Sequence, residues 1–133
     1  MARRLWAARA SEIGPGERIR LELGGLNLGI FRLSDGFFAL EDKCPHQQGP
    51  VCSGNLFREI TAFVGDDGRV RERYARDEAD VVACPMHGWE FEIRTGECLA
   101  NRRRKVQRFP VEVDGEDLYV ILPGGSTPEN PPS

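Results

Sequence analysis

Short segments in which apolar and polar residues alternate recur along most of the chain. The segment Arg18–Leu23 alternates strictly, as a strand with one buried face does. Turn sequences such as Ser34-Asp35-Gly36 separate the segments, because Asp-Gly readily adopts the positive φ of tight turns. The segments that we predict to be strands are Arg18–Leu23, Leu26–Leu33, Phe37–Leu40, Val81–Ala83, Glu90–Ile93, Phe109–Val113 and Leu118–Leu122. No long segment has the 3.6-residue apolar period of a helix, so the pattern predicts an all-β fold, a small antiparallel barrel or sandwich.

The length of the chain fits one domain, followed by a segment of different composition. With 133 residues and 40% hydrophobic residues, the chain can bury a core without the help of disulfides. We predict one domain over residues 1–122. Residues 123–133 are rich in proline and poor in apolar residues, so we expect a disordered C-terminal tail. Within the domain, alternation on both sides of Gly65-Asp66-Asp67-Gly68 predicts an inserted β-hairpin at about residues 56–80.

Composition and charge argue against several classes of protein. The net charge of −3 is unlike that of a nucleic-acid-binding protein, which would normally be basic. No apolar run approaches the roughly 20 residues of a membrane-spanning helix. The pair Arg3-Arg4 is not followed by the long apolar stretch of an export signal, so we expect a cytoplasmic protein. In that reducing compartment, the 4 cysteines favour metal binding or redox chemistry over disulfides.

Two short motifs carry the candidate chemistry. Cys44-Pro45-His46 and Cys84-Pro85-Met86-His87 each combine one thiol with one imidazole, and together they use both histidines of the chain. Thiolates suit iron–sulfur clusters and zinc, whereas neutral imidazole suits iron, zinc and copper. One cysteine and one histidine in each motif fit two adjacent irons, one held by the cysteines and the other by the histidines. Structural zinc, which also uses two cysteines and two histidines, is the alternative, although Cys-Pro-His is a tight spacing for a single zinc ion.

Around these motifs the sequence resembles the Rieske [2Fe-2S] ferredoxin family. Cys44–Gly54 is similar to the first cluster-binding loop of the family, and Cys84–Phe91 is similar to the second. The resemblance implies a small antiparallel β domain in which two loops form a cluster-binding subdomain that holds one [2Fe-2S] cluster. It also implies the ligands, which would be Cys44 and Cys84 on one iron and His46 and His87 on the other.

The two loops are similar to those of oxygenase ferredoxins rather than to those of respiratory complexes. Respiratory Rieske proteins have an extra cysteine in each loop that forms a disulfide, and this chain has Met86 at that position of the second loop. They also tend to have a serine and a tyrosine whose hydroxyls raise the reduction potential, where this chain has Trp89 and Phe91. Because fewer donors to the cluster sulfurs disfavour the reduced state, we predict a low reduction potential, about −150 mV.

Three features fall outside the ligand motifs. Cys52 and Cys98 have no histidine left to pair with, so we expect them to be buried apolar residues. The inserted hairpin at about residues 56–80 makes the segment between the motifs longer than is common in the family, and we interpret it as a tolerated surface insertion. The basic run Arg102–Lys105, with Arg108, is either a solvated loop or a docking surface for an acidic reductase or oxygenase.

The resemblance, together with the size of the chain, predicts an electron carrier that is not an enzyme by itself. We expect a soluble ferredoxin that passes single electrons from a flavin-dependent reductase to a terminal oxygenase. A Rieske oxygenase also needs a mononuclear iron held by two further histidines and a carboxylate, and this chain has only 2 histidines in all. The second hypothesis is the small subunit of a larger reductase, similar to that of assimilatory nitrite reductase. The third is a zinc-stabilised interaction module.

Overall fold

The computed structural model describes residues 2–43, 50–58, 60–74, 78–85 and 89–123. In these residues the regular structure consists of β-strands and two short 3₁₀ turns at Ala10–Glu12 and Val51–Ser53, without an α-helix, which confirms the all-β fold class. The strands in chain order are β1 (Ala2–Arg9), β2 (Arg18–Leu23), β3 (Leu26–Leu33), β4 (Gly36–Glu41), β5 (Leu56–Phe57), β6 (Ile60–Val64), β7 (Val70–Tyr74), β8 (Val81–Ala83), β9 (Glu90–Glu92), β10 (Arg108–Phe109), β11 (Val111–Asp114) and β12 (Asp117–Pro123).

Antiparallel pairing joins these strands into separate sheets. One three-stranded sheet has the order β1-β12-β11, and a four-stranded sheet has the order β10-β4-β3-β2. A smaller sheet has the order β5-β8-β9, and Cys84 follows directly after its central strand. Strands β6 and β7 pair with each other as a two-stranded ribbon. The sheet β5-β8-β9 is therefore the element that positions the second Cys/His motif.

Strand β3 of the four-stranded sheet is buried on both faces, and it separates two apolar cores. Successive side chains of a strand point to opposite faces, so neighbouring residues of β3 enter different cores. Ile30 packs in the core that lies against the sheet β1-β12-β11. Phe31 packs in the core shared with the sheet β5-β8-β9, together with Cys52 and Cys84. The strand β3 therefore couples the general core of the domain to the core beneath the candidate site.

Pro110 divides what the sequence predicts to be one strand at Phe109–Val113. Before it, β10 pairs with β4 in the four-stranded sheet, whereas after it β11 pairs with β12 in the three-stranded sheet. Proline has no N–H to donate to a neighbouring strand, which suits the position where the chain leaves one sheet for the other. Its carbonyl still accepts a hydrogen bond from the Ile121 N–H, with an N–O distance of 3.0 Å.

The N-terminal strand β1 is not predicted from the sequence. It pairs with β12 from Ala2 opposite Pro123 to Arg9 opposite Asp117, with an irregularity between Trp6 and Ala8. Its residues are mostly exposed or half-buried, so the strand lacks the apolar alternation by which the other strands can be recognised. Its conformation depends on the hydrogen bonds that β12 offers.

Strands β6 and β7 lie within the insertion predicted at about residues 56–80. They flank a turn in which Gly68 has a φ of 78°, a conformation that glycine adopts without strain. The first strand in this range, β5, pairs with β8 instead and belongs to the sheet that carries the second motif. At the other end of the chain, β12 extends to Pro123, where the predicted tail begins, and residues 124–133 lie outside the described residues.

Candidate metal centre

Of the four predicted ligands, only Cys84 is among the described residues. Cys84 is described and buried, with 1% of its surface exposed. Cys44, His46 and His87 lie outside the described residues, and so do the other residues of 44–49 and 86–88. The described part of the chain accordingly contains no group of three or more potential metal ligands. The segments that flank the two loops are described, and they define the base of the site.

The second motif forms the end of the hairpin β8–β9. The pairing of these two strands runs up to Ala83 opposite Glu90. One residue further, the Cys84 N–H donates a hydrogen bond of 2.7 Å to the Trp89 carbonyl. Cys84 and Trp89, which flank the loop, are therefore joined at its base.

The carboxylate of Asp42, two residues before Cys44, joins the chain before the first motif to the chain after it. Asp42 Oδ1 accepts a hydrogen bond of 2.8 Å from the Cys52 N–H, so the chain returns to Asp42 after the loop. Asp42 Oδ2 accepts a hydrogen bond of 2.9 Å from Arg20 Nε, and the carboxylate is nearly buried. Because Arg20 belongs to β2, this ion pair fixes the base of the first loop to the four-stranded sheet.

The segment that follows the first motif contacts β8 where Gly54 lies against Ala83. The Ala83 N–H donates a hydrogen bond of 3.0 Å to the Asn55 carbonyl, and Leu56 pairs with Val82. A Cβ on Gly54 would be 1.5 Å from the Ala83 carbonyl oxygen, which is a distance that no side chain tolerates. The absence of a side chain at this position therefore allows the end of the first loop to lie against the residue that precedes Cys84.

Cys52 and Cys98 are buried beside Cys84 in the same core, which confirms that prediction. Burial, reinforced by the nearby Asp42 carboxylate, raises the pKa of the Cys52 thiol well above its ordinary value. The Cys52 Sγ atom lies 3.7 Å from the Leu40 carbonyl oxygen, to which its thiol can donate a weak hydrogen bond. Metal ligation needs a thiolate, so Cys52 is suited to packing rather than to binding iron. The three described cysteines, 52, 84 and 98, are free thiols rather than partners in a disulfide.

The described residues fit the [2Fe-2S] group that the two motifs imply. A buried cysteine stands at the base of the second loop, and the glycine contact brings the end of the first loop to the residue before it. Thiolate and imidazole donors from two such loops are the set that this cluster takes. Trp89 and Phe91 pack in the same core, and neither has a hydroxyl to donate to a cluster sulfur.

Arg94 holds the segment that leads into β8. Its guanidinium donates hydrogen bonds to Asp80 Oδ2 at 2.7 Å and to Asp35 Oδ1 at 2.6 Å, and it also contacts the Glu78 carboxylate. Asp35 belongs to the turn between β3 and β4, so the guanidinium joins that turn to residues 78–80. Burial alone would raise the pKa of Glu78, but hydrogen bonds from Ser34 and Arg94 outweigh it and lower the pKa below its ordinary value.

The substitution Glu78→Gln is expected to lower the stability of the fold at neutral pH but not in acid. The folded-state pKa lies below the unfolded value of about 4.3, so the charged carboxylate stabilises the fold above that pH. This contribution is lost as the pH falls through the folded-state pKa. Thermal unfolding should show a Tm lower by about 3 °C at pH 7, with the difference shrinking below about pH 4. Glu116→Gln, at an exposed turn, is the control and should leave Tm unchanged. If the effect of Glu78→Gln on Tm did not depend on pH, the charge of Glu78 would not be the source of the stabilisation.

Sequence reasoning does not single out the residues that position the loops. Asp42, Gly54 and Arg94 look like ordinary loop and strand-end residues in the sequence. The one feature of the sequence that could point to them is position, because Asp42 precedes the first motif and Gly54 follows it. Only the tertiary structure shows that the Asp42 carboxylate accepts a backbone N–H across the loop.

Comparison with known families decides the class of this site. Residues 3–110 match the sequence profile of the family described as the Rieske [2Fe-2S] domain, which is most of the chain. The chain belongs to this family. Membership confirms the resemblance inferred from the two motifs, and it assigns one [2Fe-2S] cluster to the domain.

Known relatives of this Rieske domain include components of dioxygenases. The chain is 25% identical over 121 residues to the 3-phenylpropionate/cinnamic acid dioxygenase ferredoxin subunit of Escherichia coli K12, covering 90% of this chain and 94% of that protein. It is 28% identical to a chain in the solved complex of reduced oxygenase and oxidized ferredoxin of carbazole 1,9a-dioxygenase, with a TM-score of 0.64 and coverage of 88% and 91%.

The same fold occurs in a solved protein named as an NADH-dependent nitrite reductase small subunit from Mycobacterium tuberculosis. The TM-score is 0.65 at 22% identity, with coverage of 91% of this chain and 96% of that one. At this level of identity the comparison establishes the shared fold.

Proposed function

We propose that this protein is a one-electron carrier, the ferredoxin component that passes electrons from a flavin-dependent reductase to a terminal oxygenase. The observation that carries the proposal is the family match over residues 3–110, together with an alignment that covers 90% of this chain and 94% of a dioxygenase ferredoxin subunit. Relatives that align along nearly their whole length are ferredoxin subunits of dioxygenases. We infer that this domain carries the electron and that the catalytic site belongs to the partner.

The proposed ligands are Cys44 and Cys84 on one iron and His46 and His87 on the other. Support comes from Cys84, which is buried at the base of the β8–β9 loop, and from the Gly54 contact that joins the two loops. When bound, the cluster supplies one-electron redox chemistry. The chain itself holds the base of the first loop through Asp42 and the base of the second through the Cys84–Trp89 hydrogen bond. It also supplies the apolar core in which Cys84 is buried.

An EPR-monitored redox titration of protein purified without oxygen tests this function. The dithionite-reduced protein is expected to give a rhombic signal typical of a [2Fe-2S] centre with imidazole ligands, and to titrate as a one-electron centre at about −150 mV. The low value is expected because Trp89 and Phe91 offer no hydroxyl to the cluster sulfurs. A potential well above zero would contradict the prediction about the donors. A colourless protein with stoichiometric zinc and no EPR signal would overturn the electron-carrier function.

A reductase subunit is the second candidate, because the fold is shared with a protein named as a nitrite reductase small subunit. Stable copurification with a large reductase subunit would favour it, whereas transient association with an oxygenase would favour the ferredoxin component.

We also propose that the carrier acts in the cytoplasm. The described residues contain no helix that is long and apolar enough to cross a membrane.

A further inference from the structure

A basic turn lies beside the second cluster loop. Its residues Arg102, Arg103, Arg104 and Lys105, which we call the basic turn, are all exposed, although the chain as a whole has a net charge of −3. A fifth cation, the exposed Arg108, follows three residues after the turn along the chain. Positive charge is thus concentrated on one surface of an acidic protein.

The backbone of the basic turn is held by hydrogen bonds on both sides. The Arg104 N–H donates to the Asn101 carbonyl at 2.9 Å, and the Arg103 N–H donates to Asn101 Oδ1 at 3.1 Å. The Arg104 carbonyl accepts a hydrogen bond of 2.9 Å from the Cys98 N–H. The backbone of the turn is thus ordered before a partner binds, which reduces the entropy that the partner must overcome on docking.

The basic turn contacts the second loop directly through a cation–π interaction. The Arg104 guanidinium carbon lies 4.8 Å from the centroid of the Trp89 ring. Trp89 in turn accepts the hydrogen bond from the Cys84 N–H that closes the loop. Trp89, Asn101 and Arg104 also line one groove of about 420 Å³. A protein bound at the basic turn would therefore lie next to Trp89, which is hydrogen-bonded to Cys84.

Glutamate side chains contact the two ends of the basic turn. Arg102 Nη1 lies 3.3 Å from Glu97 Oε1 and 3.6 Å from Glu92 Oε1, and Lys105 Nζ lies 4.0 Å from Glu97 Oε2. These contacts involve the two ends of the turn, and all four of its cationic residues remain exposed to solvent. Arginine suits such a surface, because its planar guanidinium can pair with a carboxylate through two hydrogen bonds.

We propose that the basic turn is the docking surface for the electron acceptor, and that the acceptor presents a cluster of aspartate and glutamate side chains near its own redox centre. The inference rests on the proposed function, which gives the chain a terminal oxygenase as its acceptor. Opposite charges steer such partners together and orient them, so the basic turn would raise the rate at which productive encounters form. The position beside the second loop places the acceptor where an electron can leave the chain.

Stopped-flow electron transfer to two haem proteins of opposite charge tests the proposal. The probes are the acidic soluble domain of cytochrome b₅ and basic cytochrome c; in each reaction one electron passes from the reduced chain to a ferric haem, which becomes ferrous, and no bond is made or broken. Arg103→Glu is expected to slow transfer to the acidic probe about tenfold at low ionic strength, with a smaller effect for Arg103→Gln. The difference should disappear at high salt, because screening removes the attraction. Transfer to cytochrome c should not be slowed.

Arg69→Glu is the matched control, since it makes the same change in net charge at the exposed β6–β7 turn. Equal slowing by Arg69→Glu, or no slowing by Arg103→Glu, would overturn the docking surface. If Arg103→Glu were reduced more slowly by ferredoxin–NADP reductase while its transfer to the acidic haem protein was unchanged, the turn would dock the electron donor. That result would also overturn the proposal that the turn docks the acceptor. The EPR signal of each variant separates this test from that of the function: a variant with the signal but unaltered rates contradicts only the docking surface.

Discussion

Replacing Cys84 with serine is expected to abolish the [2Fe-2S] cluster while leaving the β domain folded. Cys84 is buried in the core at the base of the β8–β9 loop, and a hydroxyl is a poor substitute for the thiolate that iron requires. The purified variant should contain far less than the two iron atoms per chain of the parent, and it should lack the rhombic EPR signal. Iron analysis and EPR of the reduced protein measure the loss, and far-ultraviolet circular dichroism checks that the strands remain.

Cys52→Ser is the matched control for this substitution, since it makes the same chemical change in the same core. The Cys52 thiol lies near the Leu40 carbonyl, to which a serine hydroxyl could also donate, and its raised pKa keeps it protonated. This variant should therefore keep its iron and its EPR signal. A Cys84→Ser protein with full iron content would refute the assignment of Cys84 as a ligand. If only Cys52→Ser lost its iron, Cys52 would be the ligand instead.

Gly54→Ala is expected to separate the two loops and so to reduce both stability and cluster content. A Cβ at this position would be 1.5 Å from the Ala83 carbonyl oxygen, and the obstacle is backbone, which cannot rotate away as a side chain can. We expect a loss of about 3 kcal/mol in the free energy of unfolding, typical of severe overpacking. Denaturant unfolding measures the loss in stability, and the iron-to-protein ratio of the freshly purified protein measures cluster content.

Gly14→Ala provides the comparison for Gly54→Ala. A Cβ on Gly14 would meet only the flexible Glu17 side chain, at 2.6 Å from its Oε1 atom, and that side chain can move aside with the loss of one exposed hydrogen bond from the Gly14 N–H. The change in the free energy of unfolding should be within about 0.5 kcal/mol, as is usual for surface substitutions, with the iron content unchanged. If Gly54→Ala behaves like Gly14→Ala, the contact between Gly54 and Ala83 does not set the distance between the loops.

Local patterns were enough to predict the strands that have one apolar face or that end in a distinctive turn. Strands β2 and β3 begin and end where alternation and the turns at Gly24-Gly25 and Ser34-Asp35-Gly36 place them. Strand β1 escaped prediction because most of its side chains are exposed or half-buried, and only pairing with β12 defines it. Pro110 was within a predicted strand because a sequence pattern shows apolar spacing and does not show which sheet each residue joins.

The sequence by itself determined the chemistry of this protein. Two Cys/His motifs that use both histidines, and the residues around them, identify the cluster family without any coordinates, because the donor chemistry of thiol and imidazole groups is a property of the side chains. The tertiary structure decided how the site is held together. That Asp42 closes the first loop, that Gly54 lies against Ala83, and that Arg104 stacks on Trp89 depend on which distant segments fold side by side. Such contacts leave no local pattern, because each joins residues that are separated along the chain and ordinary in type.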